Sequence, residues 1–411
     1  MSAARRSLVI GAGIVGLCCA RALLREGHAV TVIDRDPVGD KVSFGNAGGL
    51  GVTEILPAAT PGVIWQVPRW LVDPLGPLSI RPAHLPRLLP WLVRFLRSAT
   101  AREAARITAA LADLLAPVYD DMLPLLAELG LAVDLHRVGA LWVYDTEAGY
   151  ERDAASHNVR RRHGVEVEAI SVAEARRLEP ALAGAMARAV VTPQWSHVSD
   201  PKRIVDRLRE SLQARGVLVL RHEAKDVDGG AVITAAGERI TFDRLVVAAG
   251  AWSGRMGRAV GDRALIESER GYNATLPTPG VRLSREVIFA ERQFVATPLD
   301  MGLRIGGAAE FAGLEAAPNW RRSEALMTLA RRYLPDLDTR GARLWMGNRP
   351  TTPDSLPVIG RSARQADVFY AFGHGHLGLT LGPTTGRLVA DLVTGRIPSI
   401  DLAPFSITRF A

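Results

Sequence analysis

The sequence opens with a strand, a glycine turn, a helix and a second strand in close succession. The apolar stretch SLVI runs into GAGIVG, a G-x-G-x-x-G pattern at Gly11, Gly13 and Gly16. A helical stretch, LCCARALLREG, ends at Gly27, and the strand AVTVID ends at Asp34, 21 residues after Gly13. This order and spacing predict a parallel βαβ unit that binds a dinucleotide.

Each part of this unit has a physical role in holding the nucleotide. Gly11 permits the tight turn, Gly13 lets the backbone approach a pyrophosphate, and Gly16 allows close packing of helix on strand. The first N–H groups of the helix and its dipole favour phosphates, while Asp34 can accept hydrogen bonds from ribose hydroxyls. The residues predicted to bind this half of the cofactor are Gly11, Gly13, Ile14, Val15, Gly16, Asp34 and Arg35.

The segment after Asp34 favours FAD over NAD. Dehydrogenases that bind NAD usually continue with further β-α units, whereas this chain continues with the glycine-rich loop RDPVGDKVSFGNAGGLG. Such a loop lets the backbone lie close to a second part of an extended cofactor. FAD is long enough to need that second contact.

Composition places the chain among folded globular proteins. Its 411 residues are enough for two domains, with 48% hydrophobic and 23% charged residues. The net charge of +7 is spread along the chain without a long Lys/Arg run, which favours a basic surface over nucleic-acid binding. Only Cys18 and Cys19 are present; since neighbours in a helix point apart, we expect no disulfide and a reducing compartment.

The basic, apolar N-terminus also has the outline of a signal peptide. We expect it to be the first strand and helix instead, because cleavage would remove the nucleotide motif. No other stretch of about 20 apolar residues could span a bilayer, and we expect a cytoplasmic protein.

The middle of the chain, residues 58 to 130, is predicted to be helical and interrupted by prolines. In LPRLLPWLVRFLR, residues 85 to 97, a period of 3.6 places apolar side chains on one face and arginines opposite. The apolar face comprises Leu85, Leu88, Leu89, Leu92, Val93, Phe95 and Leu96. Two interpretations remain open: the helix packs on its own domain, or it lies on the inner face of the cell membrane as a basic amphipathic segment.

The rear of the chain alternates strands and turns. GALWVYD, ERGYNATLP, EVIFAERQFVATP and GLRIGG predict a mostly antiparallel sheet, and residues 200 to 216 predict a helix with Pro201 at its start. The strand LVVAA leads into Gly250 and Trp252, at the kind of sheet edge where ligands bind. Near the end, Asp354 and Gly360 are expected to bracket a turn.

The last motif is VFYAFGHGHLGLTLGPTTG. We expect VFYAFG to form the final strand and Pro383 to lie in the first turn of a helix running to Gly395. His374 and His376 form an H-x-H pair, but the surrounding glycines supply no third or fourth metal ligand. We therefore expect no metal here.

Taken in order, these segments resemble the D-amino-acid oxidase (DAO) superfamily of FAD-dependent oxidoreductases, with the bacterial D-amino-acid dehydrogenases as the nearest likeness. The resemblance covers essentially the whole chain and rests on GAGIVG…VTVIDRD, SFGNAGGL, LEPAL, RGYNATLP, RIGGAAEF, GNRPTTPDSLPVIG and GHGHLGLTLGPTTG. It implies an α/β fold of the glutathione-reductase/DAO type. A Rossmann-like FAD-binding domain with a parallel sheet would comprise residues 1–57, 151–262 and 341–411. An α+β substrate domain with a mostly antiparallel sheet would comprise residues 58–150 and 263–340.

The resemblance also assigns site residues. Arg349 would grip a substrate carboxylate, with Tyr272 near the same group and His374 in contact with flavin or substrate. Lys225, expected at the end of the strand VLVLRHEAK, would meet the adenine through its backbone. The helix after the H-x-H pair would direct its N-terminus at the flavin's N1 and C2 carbonyl. The remaining residues assigned to FAD are Ser43, Asn46, Ala47, Gly48, Gly250, Trp252, Gly375, His376, Leu377, Gly378 and Thr380.

Two features depart from the family pattern. Asn348 precedes Arg349 where a bulky apolar residue is common, which predicts a more polar pocket. No cysteine follows Cys19 and no histidine lies in residues 41 to 49, so we expect FAD to be bound non-covalently.

The resemblance implies oxidative deamination of a D-amino acid. Hydride would pass from the Cα of the neutral amine to flavin N5, giving an imine that water hydrolyses to a 2-oxo acid and ammonia. Electrons would then pass to a quinone, another carrier or oxygen. No side chain in the sequence is an obvious general base. The alternatives are a secondary amine as substrate (D-proline, hydroxy-D-proline or sarcosine) and a non-catalytic flavoprotein subunit.

Overall fold

The structure is a computed structural model that describes residues 5–39 and 41–410. Its helices are α1 (Ile14–Arg25), α2 (Val63–Val72), α3 (Leu85–Ser98), α4 (Ala101–Leu115), α5 (Val118–Glu128), α6 (Glu147–Arg162), α7 (Val172–Leu178), α8 (Pro201–Ala214), α9 (Ser253–Val260), α10 (Arg321–Ala330) and α11 (Gly378–Thr394).

Twenty-one strands accompany these helices in the part of the chain that is described. They are β1 (Arg6–Ile10), β2 (Ala29–Asp34), β3 (Gly49–Leu50), β4 (Leu78–Ile80), β5 (Leu135–His136), β6 (Ala140–Tyr144), β7 (Glu168–Ile170), β8 (Arg188–Thr192), β9 (Ser196–Val198), β10 (Leu218–Arg221), β11 (Ala224–Asp228), β12 (Ala231–Thr234), β13 (Arg239–Thr241), β14 (Arg244–Val247), β15 (Glu267–Leu276), β16 (Glu286–Phe289), β17 (Phe294–Leu299), β18 (Gly302–Phe311), β19 (Arg343–Thr351), β20 (Val358–Arg361) and β21 (Val368–Phe372).

The first large sheet has six strands in the order β10-β2-β1-β14-β21-β20. Every neighbouring pair is parallel except the last, in which β20 runs antiparallel to β21. The carboxyl ends of β1, β14 and β21 therefore meet at one edge, where the turns that follow them begin. This sheet and the helix α1 after its first strand confirm the parallel unit predicted from the glycine motif.

The second large sheet is mostly antiparallel, as predicted. Its nine strands run β19-β15-β18-β17-β16-β6-β8-β7, and β4 pairs with β18 beside this path. Only the β16–β6 and β18–β4 pairs are parallel. Two small three-stranded sheets, β11-β12-β13 and β3-β9-β5, complete the described strands.

Three strands pair differently from what the proposed domain boundaries suggest. Strands β7, β8 and β19 lie within ranges expected for the FAD-binding domain, yet all three hydrogen-bond into the nine-stranded sheet. Arg349 is consequently carried by an edge strand of that sheet. The boundaries themselves stay an expectation.

Three local predictions are corrected by the structure. Gly360 lies inside strand β20 and does not close a turn. Pro383 is the sixth residue of α11, which begins at Gly378 and ends, as expected, at Gly395 with a positive φ of 79°. The segment VLVLRHEAK divides into β10 and β11, and Lys225 belongs to the second of these, in a different sheet.

Helix α3 does not bury its predicted apolar face as a whole. Leu88 and Trp91 are buried and pack with Phe311 of β18, and Leu92 and Phe95 are partly buried against the same cluster. The other apolar side chains remain exposed, namely Leu85, Leu89, Val93 and Leu96. Among the described helices, none combines the length and apolarity needed to cross a bilayer.

Candidate active site

One cavity of about 2290 Å³ is lined by residues of both large sheets and of the loops between them. It brings together the predicted cofactor and substrate residues from eight separate stretches of the chain. All of them line the cavity except Gly16 and Gly48. Gly16 lies against the backbone of Gly11, and Gly48 has a backbone conformation with a positive φ of 85°.

The glycine turn after β1 is held by close backbone contacts. Gly11 has a φ of 114°, and a Cβ added there would lie 2.3 Å from the carbonyl oxygen of Ala248. A Cβ on Gly16 would lie 2.0 Å from the carbonyl oxygen of Gly11. Gly16 therefore serves helix packing, as predicted, while Gly13, Ile14 and Val15 face the cavity.

Asp34 organises this turn through both of its carboxylate oxygens. One oxygen accepts the N–H of Ala12 at 2.8 Å, and the other accepts Nζ of Lys41 at 2.9 Å and the N–H of Asp36 at 2.8 Å. A ribose bound here would share the carboxylate with Lys41, a contact that the sequence did not indicate.

The predicted adenine end of the cavity is lined by Arg35, Lys225, Gly250 and Trp252. The guanidinium carbon of Arg35 lies 3.7 Å from the ring centroid of Trp252, a cation–π contact that fixes both side chains. A register shift between Ala224 and Asp226 makes Lys225 the extra residue of a β-bulge. Its backbone groups are thus free of the ladder and can meet a ligand.

The glycine-rich loop after β2 is clamped by the nine-stranded sheet. Asn273 of β15 donates from Nδ2 to the carbonyl oxygen of Gly45 at 2.6 Å, and Arg304 of β18 donates to that of Asn46 at 2.6 Å. Within the loop, Asn46 accepts the N–H of Gly48 at 2.7 Å, and Gly48 has a φ of 85°. Sequence reasoning missed the clamp because its two sides are more than 200 residues apart.

Helix α11 begins beside this loop. Its first-turn N–H groups, from Gly378 to Thr380, have no partners within the helix and lie at the cavity. The Thr380 hydroxyl is already engaged, because it accepts the N–H of Gly51 at 3.1 Å. The backbone of Thr380, more than its side chain, is thus the part available to a cofactor.

The two histidines of the H-x-H pair have opposite surroundings. His374 is 4% exposed, and its Nε2 shares a hydrogen bond of 2.9 Å with the Thr385 hydroxyl. Burial lowers the pKa of His374 to about 3, so the ring is neutral. His376 is exposed and lines the cavity. Both histidines line the cavity, but His376 is the more accessible of the two, whereas the sequence favoured His374 as the functional residue.

Arg349 lies on the cavity face of β19 and has an acidic neighbour. Its Nη1 is 2.9 Å from Oε1 of Glu269, which stands directly opposite it in the β15–β19 ladder. The other Glu269 oxygen accepts the Thr351 hydroxyl at 3.0 Å. Both side chains of the ion pair are partly exposed, at 25% and 22%. Glu269 is a residue of this site that the sequence analysis missed.

Tyr272 borders the cavity, but its hydroxyl is not brought to Arg349. It lies three positions along β15 from Glu269, so the two side chains point to opposite faces of the sheet. Its hydroxyl donates to Glu310 at 2.5 Å and accepts the N–H of Asn319 at 3.0 Å, and the side chain is 1% exposed. The expected role of this hydroxyl on a substrate carboxylate is therefore unsupported, because its hydrogen-bonding capacity is used on the far face.

Another acidic side chain, Glu286, borders the cavity at the glycine-rich loop. Glu286 is 2% exposed and accepts Nε1 of Trp195 at 3.1 Å. Burial raises the pKa of Glu286 to about 8, with the nearby Glu54 adding to the effect. A Cβ on Gly49 would lie 2.3 Å from a Glu286 oxygen, so this carboxyl packs directly against the loop.

The sequence matches the FAD dependent oxidoreductase family, DAO, over residues 6–392. The chain belongs to the DAO family. It is an FAD-dependent oxidoreductase, and its fold and cofactor are those predicted from the sequence.

Named relatives of this DAO family member are similar over their full length. The D-amino-acid oxidase of Bradyrhizobium diazoefficiens is 39% identical, with 100% of each chain covered. The D-amino acid dehydrogenase of Methylobacterium nodulans is 32% identical, covering 98% of this chain and 99% of the relative. Among solved structures, glycine oxidase from Geobacillus kaustophilus has the same fold, with a TM-score of 0.73, 24% identity and coverage of 98% and 99%.

The residues present fit FAD on structural grounds. Gly11 and Gly16 have no room for a side chain, so the turn presents only backbone at these two positions. A pyrophosphate needs such close access to backbone N–H groups. The cavity continues from this turn past the clamped loop to the start of α11, an extent that suits an elongated cofactor. No group of three His, Cys, Asp or Glu side chains able to hold a metal ion occurs among residues 5–39 and 41–410.

Proposed function

We propose that this protein oxidises a D-amino acid to the imine, which water hydrolyses to a 2-oxo acid and ammonia. The observation that carries the proposal is Arg349, a partly exposed guanidinium aimed into the same cavity as the dinucleotide turn and the flavin loop. A guanidinium is the side chain best suited to holding a carboxylate in a fixed orientation.

Bound FAD supplies the two-electron acceptor for the hydride that leaves the substrate's Cα. The protein's own residues position the substrate and hold the cofactor. Arg349 would bind the carboxylate and so fix the Cα–H, since orientation provides much of the rate of such a transfer. The first turn of α11 would stabilise negative charge beside it through N–H groups and the helix dipole.

The cofactor contacts are part of the same proposal. Gly11, Gly13, Asp34 and the bulged Lys225 would hold the ADP half, and the loop from Ser43 to Gly48 would line the flavin. Binding would be non-covalent, because no cysteine lines the cavity among the described residues and the glycine-rich loop contains no histidine between residues 41 and 49.

The substrate is tested by anaerobic reduction of the bound flavin. Purified holoenzyme is mixed with separate D-amino acids, L-amino acids, D-proline, hydroxy-D-proline and sarcosine, and the flavin absorbance is followed. We expect primary D-amino acids to bleach the flavin fastest. Faster bleaching by a secondary amine would reassign the substrate class, and no bleaching by any compound would favour a non-catalytic flavoprotein.

We further propose that a quinone or another carrier, rather than oxygen, reoxidises the enzyme. The named relatives include both an oxidase and dehydrogenases, so this choice needs its own measurement. With substrate present, we expect a soluble quinone analogue to support turnover at least about tenfold faster than air-saturated buffer. Stoichiometric oxygen uptake with peroxide release at the faster rate would contradict this.

A peripheral contact with an anionic membrane surface is the second part of this proposal. Leu85, Leu89, Val93 and Leu96 form an exposed strip on α3, with exposed fractions of 45%, 56%, 42% and 43%. Arg87 and Arg97 are exposed on the same helix. An apolar strip beside basic side chains suits the interface of an anionic bilayer.

The test of this contact is sedimentation with vesicles. We expect the protein to bind vesicles containing phosphatidylglycerol and the double variant Leu89→Ser, Val93→Ser to bind at least about tenfold less tightly, because burial of two large apolar side chains is lost. The control variant Leu123→Ser removes an exposed leucine from α5, which is 40% exposed. Equal binding of all three proteins would rule out α3 as the contact.

A further inference from the structure

At the substrate end of the cavity, Arg349 is not an isolated positive charge, because it forms an ion pair with Glu269. Arg349 and Glu269 face each other across the β15–β19 ladder, and Nη1 of the arginine is 2.9 Å from the carboxylate. The Thr351 hydroxyl fixes the second carboxylate oxygen at 3.0 Å. The Glu269 carboxylate is thus held in place by two neighbours on strand β19.

Arg349 keeps donor capacity on its other terminal nitrogen. Its Nη2 has only a long contact of 3.5 Å to the carbonyl oxygen of Gly307. A ligand carboxylate can therefore bind there while Glu269 remains on Nη1. The two carboxylates would then share one guanidinium, an arrangement in which like charges repel unless a further positive charge lies beside them.

An α-amino acid brings that positive charge with it. Its ammonium group is one carbon away from its carboxylate, so a zwitterion held by Arg349 places the ammonium close to Glu269. A 2-oxo acid or 2-hydroxy acid presents the same carboxylate without the cation. The charges of the site are complementary to those of the zwitterion: the positive Arg349 faces the carboxylate, and the negative Glu269 faces the ammonium group.

We propose that Glu269 forms a subsite for the α-ammonium group of the substrate, which makes the cavity selective for zwitterions over simple carboxylates. This inference rests on the proposed function, because it takes an amino acid as the ligand of Arg349. It adds a second recognition element, on strand β15, to the arginine on strand β19.

The subsite has a consequence for product release. The bound ammonium would lose one proton to solvent before hydride leaves Cα, and hydrolysis of the imine releases ammonia together with a 2-oxo acid, which retains the carboxylate and lacks the cation. Glu269 attracts the substrate and repels this product. We therefore expect the 2-oxo acid to be a weak inhibitor of the unmodified enzyme.

The experiment compares two ligands on three proteins: unmodified enzyme, Glu269→Gln and Glu267→Gln. The ligands are the D-amino acid that reduces the flavin fastest and the 2-oxo acid with the same side chain. The amino acid's Kd comes from the concentration dependence of anaerobic flavin reduction. The 2-oxo acid's Kd comes from the change in flavin absorbance on binding, which does not require turnover. Glu267 is two residues away on the same strand and pairs with His84 at 3.2 Å.

For Glu269→Gln we expect opposite shifts: the amino acid binds about tenfold more weakly and the 2-oxo acid about tenfold more tightly, the size of one charged hydrogen bond gained or lost. Glu267→Gln should leave both values unchanged. If both ligands tighten in Glu269→Gln, Glu269 only shields Arg349 and the subsite is refuted. Two unchanged values would refute it as well.

A second variant covers a failure of Glu269→Gln to retain FAD. Glu269→Asp keeps the charge and shortens the side chain, so the same opposite shifts should appear with smaller size, and shifts in one direction would again refute the subsite. Failure of the proposed function looks different: no amino acid would reduce the flavin of the unmodified enzyme. In that case the absorbance change on adding an amino acid and the matching 2-oxo acid still reports whether the cavity prefers the zwitterion.

Discussion

Glu269 and Tyr272 are three positions apart on β15, and this odd spacing places them on opposite faces of the sheet. Arg349 and Glu269 share the cavity face, whereas Tyr272 packs on the far face with Glu310. The motif around Arg349 predicted its place in the site. The sequence could not indicate Glu269, because its partner lies 80 residues away and only the register joins them.

The orientation of Tyr272 predicts that its hydroxyl contributes to stability and not to substrate binding. The Tyr272 hydroxyl is hydrogen-bonded to Glu310 and to the backbone of Asn319. Tyr272→Phe should therefore leave the substrate KM within about twofold. It should lower the free energy of unfolding by about 1–3 kcal/mol, the usual cost of losing buried hydrogen bonds. Substrate kinetics and thermal unfolding measure the two quantities. A large rise in KM without loss of stability would place the hydroxyl at the substrate after all.

At the scale of elements, the conformation of the glycine-rich loop depends on the nine-stranded sheet that clamps it. A Cβ on Gly45 would lie 2.2 Å from the Trp345 ring of β19, although glycine is not needed there for a positive φ. The loop glycines predicted a close approach of backbone to ligand. The structure shows that at Gly45 a protein side chain makes that approach.

The Gly45 contact predicts weakened cofactor binding when a methyl group is added. Gly45→Ala must displace Trp345 or the loop, so we expect the Kd for FAD to rise at least about tenfold, equivalent to about 1.4 kcal/mol of strain. Fluorescence titration of the apoprotein with FAD measures it. Gly360→Ala is the matched control, since its new Cβ would meet its nearest neighbour at 3.8 Å. Equal FAD affinity in both variants would contradict the clamp.

Sequence patterns predicted most elements but misplaced those governed by distant partners. The βαβ unit, the helix at residues 201–214 and the strands of the larger sheet follow from local periodicity and capping residues. Helix α11 begins at Gly378, before the proline that was expected to open it, and it packs closely on α1, where a Cβ on Gly386 would lie 2.5 Å from the carbonyl oxygen of Cys18. The division of α3 into buried and exposed strips likewise depends on Phe311, far along the chain.

At the scale of the whole molecule, stability depends on pH through Glu286, a buried carboxyl group on strand β16 of the nine-stranded sheet. Glu286 has its pKa raised to about 8 from an ordinary value of 4.5. The folded protein therefore retains a proton that the unfolded chain loses above pH 4.5. Stability from this group is full below pH 4.5 and falls as the pH rises toward 8.

Glu286→Gln removes this dependence, because the amide stays neutral and can still accept the Trp195 N–H. Between pH 5 and 8 the unmodified protein should lose up to about 1.4 kcal/mol of unfolding free energy per pH unit relative to the variant. Urea unfolding across this pH range measures the difference. The control is Glu210→Gln, an exposed side chain of α8. Parallel stability curves for the unmodified protein and Glu286→Gln would show that Glu286 is ionised in the folded state.

The proposed function requires Arg349 to hold the carboxylate of an amino acid in the cofactor cavity. Stopped-flow reduction of the flavin under anaerobic conditions, with the fastest D-amino acid, tests it most directly in Arg349→Lys. Arg343→Lys serves as control, since Arg343 is exposed at the start of the same strand. We predict a loss of about 30-fold or more in the second-order reduction rate for Arg349→Lys, corresponding to about 2 kcal/mol of a charged hydrogen bond, and no loss for the control. Equal reduction rates in both variants would contradict the claim.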